Sequence, residues 1–170
     1  LVALTAAACG GGTLSPDGGS PGMCSANVPA GQECNTLQNM ATPLTPTCAT
    51  GTAPAGTGGT IADGTYVLTS TQDYGTDCAT DLPVAETIAI AGDCIQSVFG
   101  DILAGTTSGR LATQGSSITF TRTCLHLDID GAVTTQDSAT NTYTATSTTF
   151  TLVGTNATTG NSSVAVFTRR

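Results

Sequence analysis

Three groups of residues in this chain could do chemistry. Arg122 follows Ile118 and Phe120 at two-residue spacing. On a strand that spacing puts all three on one face, where a guanidinium beside two apolar side chains could hold a ligand carboxylate by bidentate pairing. The competing use of Arg122 is an ion pair with a rim acid such as Asp128 or Asp130, the commoner fate of an arginine near a surface. The second group is His126-Leu-Asp-Ile-Asp-Gly131 with Asp137. It places Asp128, Asp130 and Asp137 at the third, fifth and twelfth positions of a partial calcium loop, with Gly131 at the turn. The first ligand would be His, the last is Asp instead of Glu, and no helices flank the loop. A solvated acidic loop is therefore the weightier reading, and Ca2+ the lesser one. The third group is the cysteines Cys9, Cys24, Cys34, Cys48, Cys78, Cys94 and Cys124. No Cys-x-x-Cys pair occurs and His126 is the single His, which favours disulfides over a zinc site.

No catalytic motif accompanies these residues. The chain has no Gly-x-Ser-x-Gly elbow, no phosphate-binding Gly-rich loop and no Lys. His126 is the one imidazole available as a general base, and Glu33 and Glu86 lie far apart in sequence. The expectation is a non-enzymatic protein without a cofactor. Charge narrows the partners further. Charged residues make up 9 % of the chain, against roughly 25 % in ordinary globular domains. The positive residues are Arg110, Arg122, Arg169 and Arg170, and the formal net charge is −8. That leaves no basic patch for nucleic acid or for docking on anionic lipid. Solubility comes from Thr, Ser, Asn and Gly instead.

The elements that must position these residues read as strands. From Gly58-Gly-Thr-Ile-Ala-Asp-Gly-Thr-Tyr-Val-Leu-Thr-Ser70 onward the side-chain period is two. Strands are expected near 64–73, 85–91, 94–102, 108–114, 116–124, 141–146, 149–154 and 162–169, with turns at Gly92-Asp93, Gln114-Gly115 and Thr146-Ser147-Thr148. With no long helical period, the fold expected is all-β: an antiparallel up-and-down barrel of eight strands, with a β-sandwich as the alternative. In such a meander the short turns share one end and the longer connections the other, and binding belongs at the long-loop rim, where most Asp residues fall. Ile118, Phe120, Arg122, Tyr66 and Tyr143 are the candidates to line an interior ligand site. Few aromatics are present to fill that interior, although Ile, Leu and Val could close it. The same layout pairs Cys78 with Cys124 at the loop end and Cys94 with Cys48 at the closed end, leaving Cys24 with Cys34. Residues 29–40 could hold one or two helical turns, with Leu37 and Met40 on the same face as Cys34.

The N-terminal stretch Leu1-Val-Ala-Leu-Thr-Ala-Ala-Ala-Cys9 is apolar, then small, then Cys. It resembles the end of a bacterial lipoprotein signal with Cys9 as the lipidated residue; cleavage after Ala6-Ala7-Ala8 is the rival reading. If a lipid takes Cys9, six cysteines remain for three disulfides. The domain reading is a signal remnant over 1–8, a flexible tether over 9–22, a disulfide-pinned arm and linker over 23–59, and the β-barrel over 60–170. The Cys-containing arm, the lead-in around Gly58–Ser70 and the C-terminal Ser163-Val-Ala-Val-Phe-Thr-Arg-Arg170 resemble predicted lipoproteins of myxobacteria. The strand count is similar to lipocalin-like barrels, although the chain lacks Trp and so the lipocalin Gly-x-Trp signature. These resemblances imply an exported protein, lipid-anchored in the bacterial cell envelope at the outer membrane. They fit a surface binding or envelope-structural module with an acidic loop end. The alternative is a carrier of a small apolar or carboxylate-bearing ligand inside the barrel.

Overall fold

Alternation of inward and outward side chains organises the protein in the computed structural model, which describes residues 32–75, 82–100, 104–128, 131–133, 137–155 and 160–170. The strands are β1 (Thr47–Ala49), β2 (Gly64–Tyr74), β3 (Ala85–Ala91), β4 (Cys94–Gly100), β5 (Gly105–Gln114), β6 (Ser117–Leu127), β7 (Gly131–Val133), β8 (Ser138–Ala145), β9 (Thr149–Thr155) and β10 (Ser162–Arg169). No helix occurs among the described residues. Leaving aside β1 and β7, each strand pairs antiparallel with the next, and β10 returns to pair with β2. The fold is therefore a closed eight-stranded up-and-down barrel of lipocalin-like architecture. The sandwich alternative is set aside by this closure.

Two features depart from a plain meander. The short β7 extends β6 as a hairpin over Leu125–Leu127. More consequential is β1. β2 pairs with β3 only over Gly64–Val67, so the two strands part toward Tyr74. β1 fills that opening, running parallel to β2 with Thr47–Ala49 against Gln72–Tyr74. Just before β1, Leu44 exchanges two backbone hydrogen bonds, of 2.9 and 2.8 Å, with Val84 beside β3. Backbone groups that two parting strands would otherwise leave open are thus paired by the arm.

The arm is a belt around the barrel. The Cys34 N–H donates to Thr106 Oγ1 on β5 at 2.9 Å, and the Cys34 carbonyl accepts from Ser108 Oγ at 3.1 Å. The Asn35 amide donates to the Ser97 and Thr107 carbonyls of β4 and β5. Asn39 Nδ2 donates to the Ala85 carbonyl, and the Met40 N–H to Thr87 Oγ1 on β3. Thr106, Ser108 and Thr87 all lie on outward phases, so the arm crosses the outside of β5, β4 and β3 before β1. Beyond β1 it reaches Gly58, which bridges Thr144 on β8. Between β2 and β8 stand β10 and β9, whose outward-phase Val164 and Val153 are nonetheless buried. The helical turns expected over 29–40 are absent from residues 32–40. A segment this short gains little from helix formation, and the sheet surface offers its polar groups partners instead.

The disulfide layout differs from expectation. Cys34 bonds to Cys124, a separation of 90 residues, fastening the belt to β6. This excludes both the Cys24–Cys34 and the Cys78–Cys124 pairings. Cys94 is disulfide-bonded too, but the Cys48 pairing fails on distance. Cys48 stands beside Asp73, and Cys94 opposite Ala91, next to the Gly64–Ile90 pair. Asp73 is nine residues along β2 from Gly64, about 30 Å at the rise of a strand. The expected layout kept the arm at the closed end, whereas the belt climbs to the mouth before descending. Cys9, Cys24 and Cys78 lie outside the described residues.

The core fills the closed end. Phe150 sits at its centre, its ring centroid 6.3 Å from those of Tyr66 and Tyr143 and 6.0 Å from that of Phe167. Leu68, Ile88, Ile90, Ile95 and Ile118 complete the cluster. Gly58–Asp63 crosses beneath it, with Ile61 packed on the cluster. The Tyr143 hydroxyl donates to the Gly59 carbonyl at 2.8 Å and the Tyr66 hydroxyl to the Ala62 carbonyl at 2.5 Å. The tight turns lie here: Gly92 and Gly115 take left-handed φ of 60° and 61°, the conformation two-residue hairpins demand.

Candidate functional site

Register places a different set of side chains at the other end, the mouth. Glu86 stands opposite Phe99 on β4, Phe99 opposite Gly105 on β5, and Gly105 opposite Leu127 on β6. The next inward row toward the core is Ile88, Ser97, Thr107 and Leu125. Because Ile88 belongs to the core, the same phase points Glu86, Ser97 and Phe99 into the barrel. Glu86, Phe99, Thr107, Leu125 and Leu127 are all partly exposed, unlike the buried aromatic cluster of the closed end, Tyr66, Tyr143, Phe150 and Phe167. Gly105 shapes this wall. A Cβ there would collide with the His126 carbonyl oxygen and lie 3.1 Å from Phe99 Cζ and 3.2 Å from Leu127 Cδ2, so the missing side chain lets the β6 backbone and both side chains close on β5.

Glu86 is the chemically distinctive group. Ser97 Oγ donates to its Oε1 at 2.5 Å, and Ser97 itself is 3 % exposed. Although the residue keeps some accessible surface, its carboxyl is deep enough that burial raises its pKa, and the opposing effect of the Ser97 hydrogen bond is smaller. The ion pairs among the described residues are Arg110–Asp93, Arg122–Asp137 and His126–Asp128, and Glu86 is in none of them.

The residues expected to do chemistry are dispersed. Ile118 is in the packed core, and Tyr66 and Tyr143 are 0 % and 2 % exposed with hydroxyls committed to the closed-end crossing. These three pack the barrel rather than line its mouth. Phe120 leans on the core opposite Leu111. Arg122 shares their inward phase, standing opposite Gly109. Its Nε lies 3.3 Å from Asp137 Oδ1, and its backbone N–H donates to the Asp137 carbonyl at 2.9 Å. The partner is thus Asp137, not Asp128 or Asp130 as expected, because Asp137 leads into β8 directly alongside Arg122.

Asp128 is exposed and 3.7 Å from His126 Nε2, whereas Asp137 is with Arg122, and Asp130 lies outside the described residues. Among the described residues, no three His, Cys, Asp or Glu side chains gather as a metal site. His126 stands opposite Thr106 on the outward phase that the belt covers. Sequence reasoning meets Glu86 only as an acid far from Glu33, counts Phe99 only among the few aromatics, and gives Ser97 no role. A signal for Glu86 was present: it is in phase with Ile88 and Ile90, the inward residues of its strand. No family model, curated protein or solved structure matches the chain.

Proposed function

We propose that the chain is a binding module, not an enzyme, that takes a small, largely apolar ligand at the mouth of its barrel. One observation carries the reading: the aromatic cluster at the closed end is buried, whereas at the mouth Phe99, Leu125 and Leu127 present partly exposed apolar surface on the inward phase. Ligand sites of this kind are concave, mainly apolar and supplied with a few polar groups. The single His faces outward, away from that recess, which is a poor place for a general base. We further propose an exported, lipid-anchored placement in a bacterial envelope. It is supported by the Leu1–Cys9 pattern and by a disulfide of long sequence separation, which suits an oxidising compartment. A diacylglyceryl mass on Cys9 in membrane-extracted protein is the expected result; a chain without lipid removes the anchor.

Titration of the full chain with the neutral probe N-phenyl-1-naphthylamine tests the binding reading. Saturable, blue-shifted fluorescence at one probe per chain is expected. A flat titration overturns it and leaves the acidic rim, with Asp73 and Asp137, as a surface for a protein partner.

A further inference from the structure

We infer that the mouth selects a ligand with a cationic head, an amine or quaternary ammonium on an apolar body, held between the Glu86 carboxylate and the ring of Phe99. The inference rests on the mouth being a binding site. Glu86 and Phe99 are directly opposed across β3 and β4 and share the inward face. Cross-strand partners on one face stand with Cβ atoms about 5 Å apart, so one head group can meet both. The Ser97 hydroxyl fixes one carboxylate oxygen, which leaves the other oxygen for a ligand. A cation over the ring face adds attraction to the ring quadrupole.

Charge balance decides the sign of the head group. A carboxyl this deep is costly to ionise without a counter-ion, and the ion pairs among the described residues do not supply one. The one arginine on the inward phase of this wall, Arg122, already has a counter-ion in Asp137, 3.3 Å from its Nε, although that nitrogen makes no hydrogen bond. A carboxylate-bearing ligand would meet Glu86 and Asp73 and gain only a guanidinium that already has Asp137 beside it, whereas an ammonium would complete the unmatched acid. The formal charge of −8 adds a long-range field of the same preference.

Competition on the full chain tests this. With N-phenyl-1-naphthylamine bound, decyltrimethylammonium, decanol and decanoate are titrated below their aggregation concentrations. The ammonium is expected to displace the probe at a concentration about tenfold or more below that of decanol, with decanoate weakest. Glu86→Gln should abolish the ammonium's advantage while decanol still competes, and Phe99→Leu should reduce it about threefold or more. Equal potency of ammonium and decanol, an advantage that survives Glu86→Gln, or decanoate as the tightest competitor would each overturn the inference while the mouth remains a binding site. Failure of the probe to bind would remove the mouth reading itself, and this inference with it.

Discussion

Tyr66, Tyr143, Phe150 and Phe167 point into the same barrel as Glu86, Phe99, Leu125 and Leu127, yet the two sets meet different surroundings. The first set is enclosed by ring contacts, by tight hairpins and by the Gly58–Asp63 crossing. The second stays partly exposed and includes an acid with no ion-pair partner among the described residues. Stability is therefore concentrated at one end of the barrel, which frees the other from the demand that every inward residue pack. Residues kept away from the best-packed region can vary without loss of the fold.

The sharpest way to break this comparison is to truncate one ring at each end. Phe150→Ala removes the aromatic shared by Tyr66, Tyr143 and Phe167 and should cost about 3–5 kcal/mol in urea unfolding. Phe99→Ala removes a partly exposed ring that leans on Gly105, and should cost less than about 2 kcal/mol. Equal losses would mean that the mouth is packed as firmly as the closed end. Second in size is the belt. Replacing Cys34 and Cys124 together by Ser should destabilise by about 2–5 kcal/mol, since the bond closes a loop of 90 residues. Limited proteolysis should then cut between residues 32 and 58 before it cuts the barrel strands. A belt that resists cleavage in this variant would be held without the disulfide, by its hydrogen bonds from Asn35, Asn39 and Met40 and its pairings at Leu44, β1 and Gly58.

That belt is also where the sequence was least legible. The barrel strands announce themselves by alternation, as in Ile118-Thr-Phe-Thr-Arg122, and most expected bounds lie within a few residues of the observed ones. The expected strand ends at Cys124 because His126-Leu-Asp-Ile-Asp reads as an acidic loop. The strand instead runs to Leu127, past a register shift that leaves Thr123 unmatched between Ser108 and Gly109 and moves Leu125 and Leu127 onto the inward phase. β1 carries no pattern at all: Thr47-Cys-Ala is a strand only because β2 and β3 part beside it. Cysteine number favoured disulfides, but the partners depend on the path of the belt, which no local pattern encodes. Arg122 drew attention by its charge, whereas Glu86, hidden between Ala85 and Thr87, shows its role only when the phase of its whole strand is followed.

A smaller effect sharpens the contrast from the belt's side. The Asn35 side chain is buried against β4 and β5, donating to the Ser97 and Thr107 carbonyls at 3.1 and 2.9 Å and accepting from the Leu37 N–H at 3.0 Å. Asn35→Ala should cost about 1–3 kcal/mol in thermal or urea unfolding. Asn39→Ala, on an exposed residue, should cost less despite similar partners.

The smallest effect should carry the opposite sign. Burial raises the pKa of Glu86 above its value in the unfolded chain. The folded protein therefore holds the Glu86 proton more tightly than the unfolded chain. That contribution to stability is complete below the unfolded-state pKa and is lost as pH rises through the folded-state pKa. Glu86→Gln keeps the shape and an acceptor for Ser97 but cannot ionise. The variant should match or fall slightly below the wild type in acid and exceed it at neutral pH, with the gap opening across the titration of Glu86. Unfolding curves recorded at several pH values measure that gap directly, and a constant difference would mean that the carboxyl titrates as it does in the unfolded chain. If the variant is both more stable at neutral pH and blind to the ammonium head group, the wild-type acid is retained at a cost to folding, for the sake of what enters the mouth.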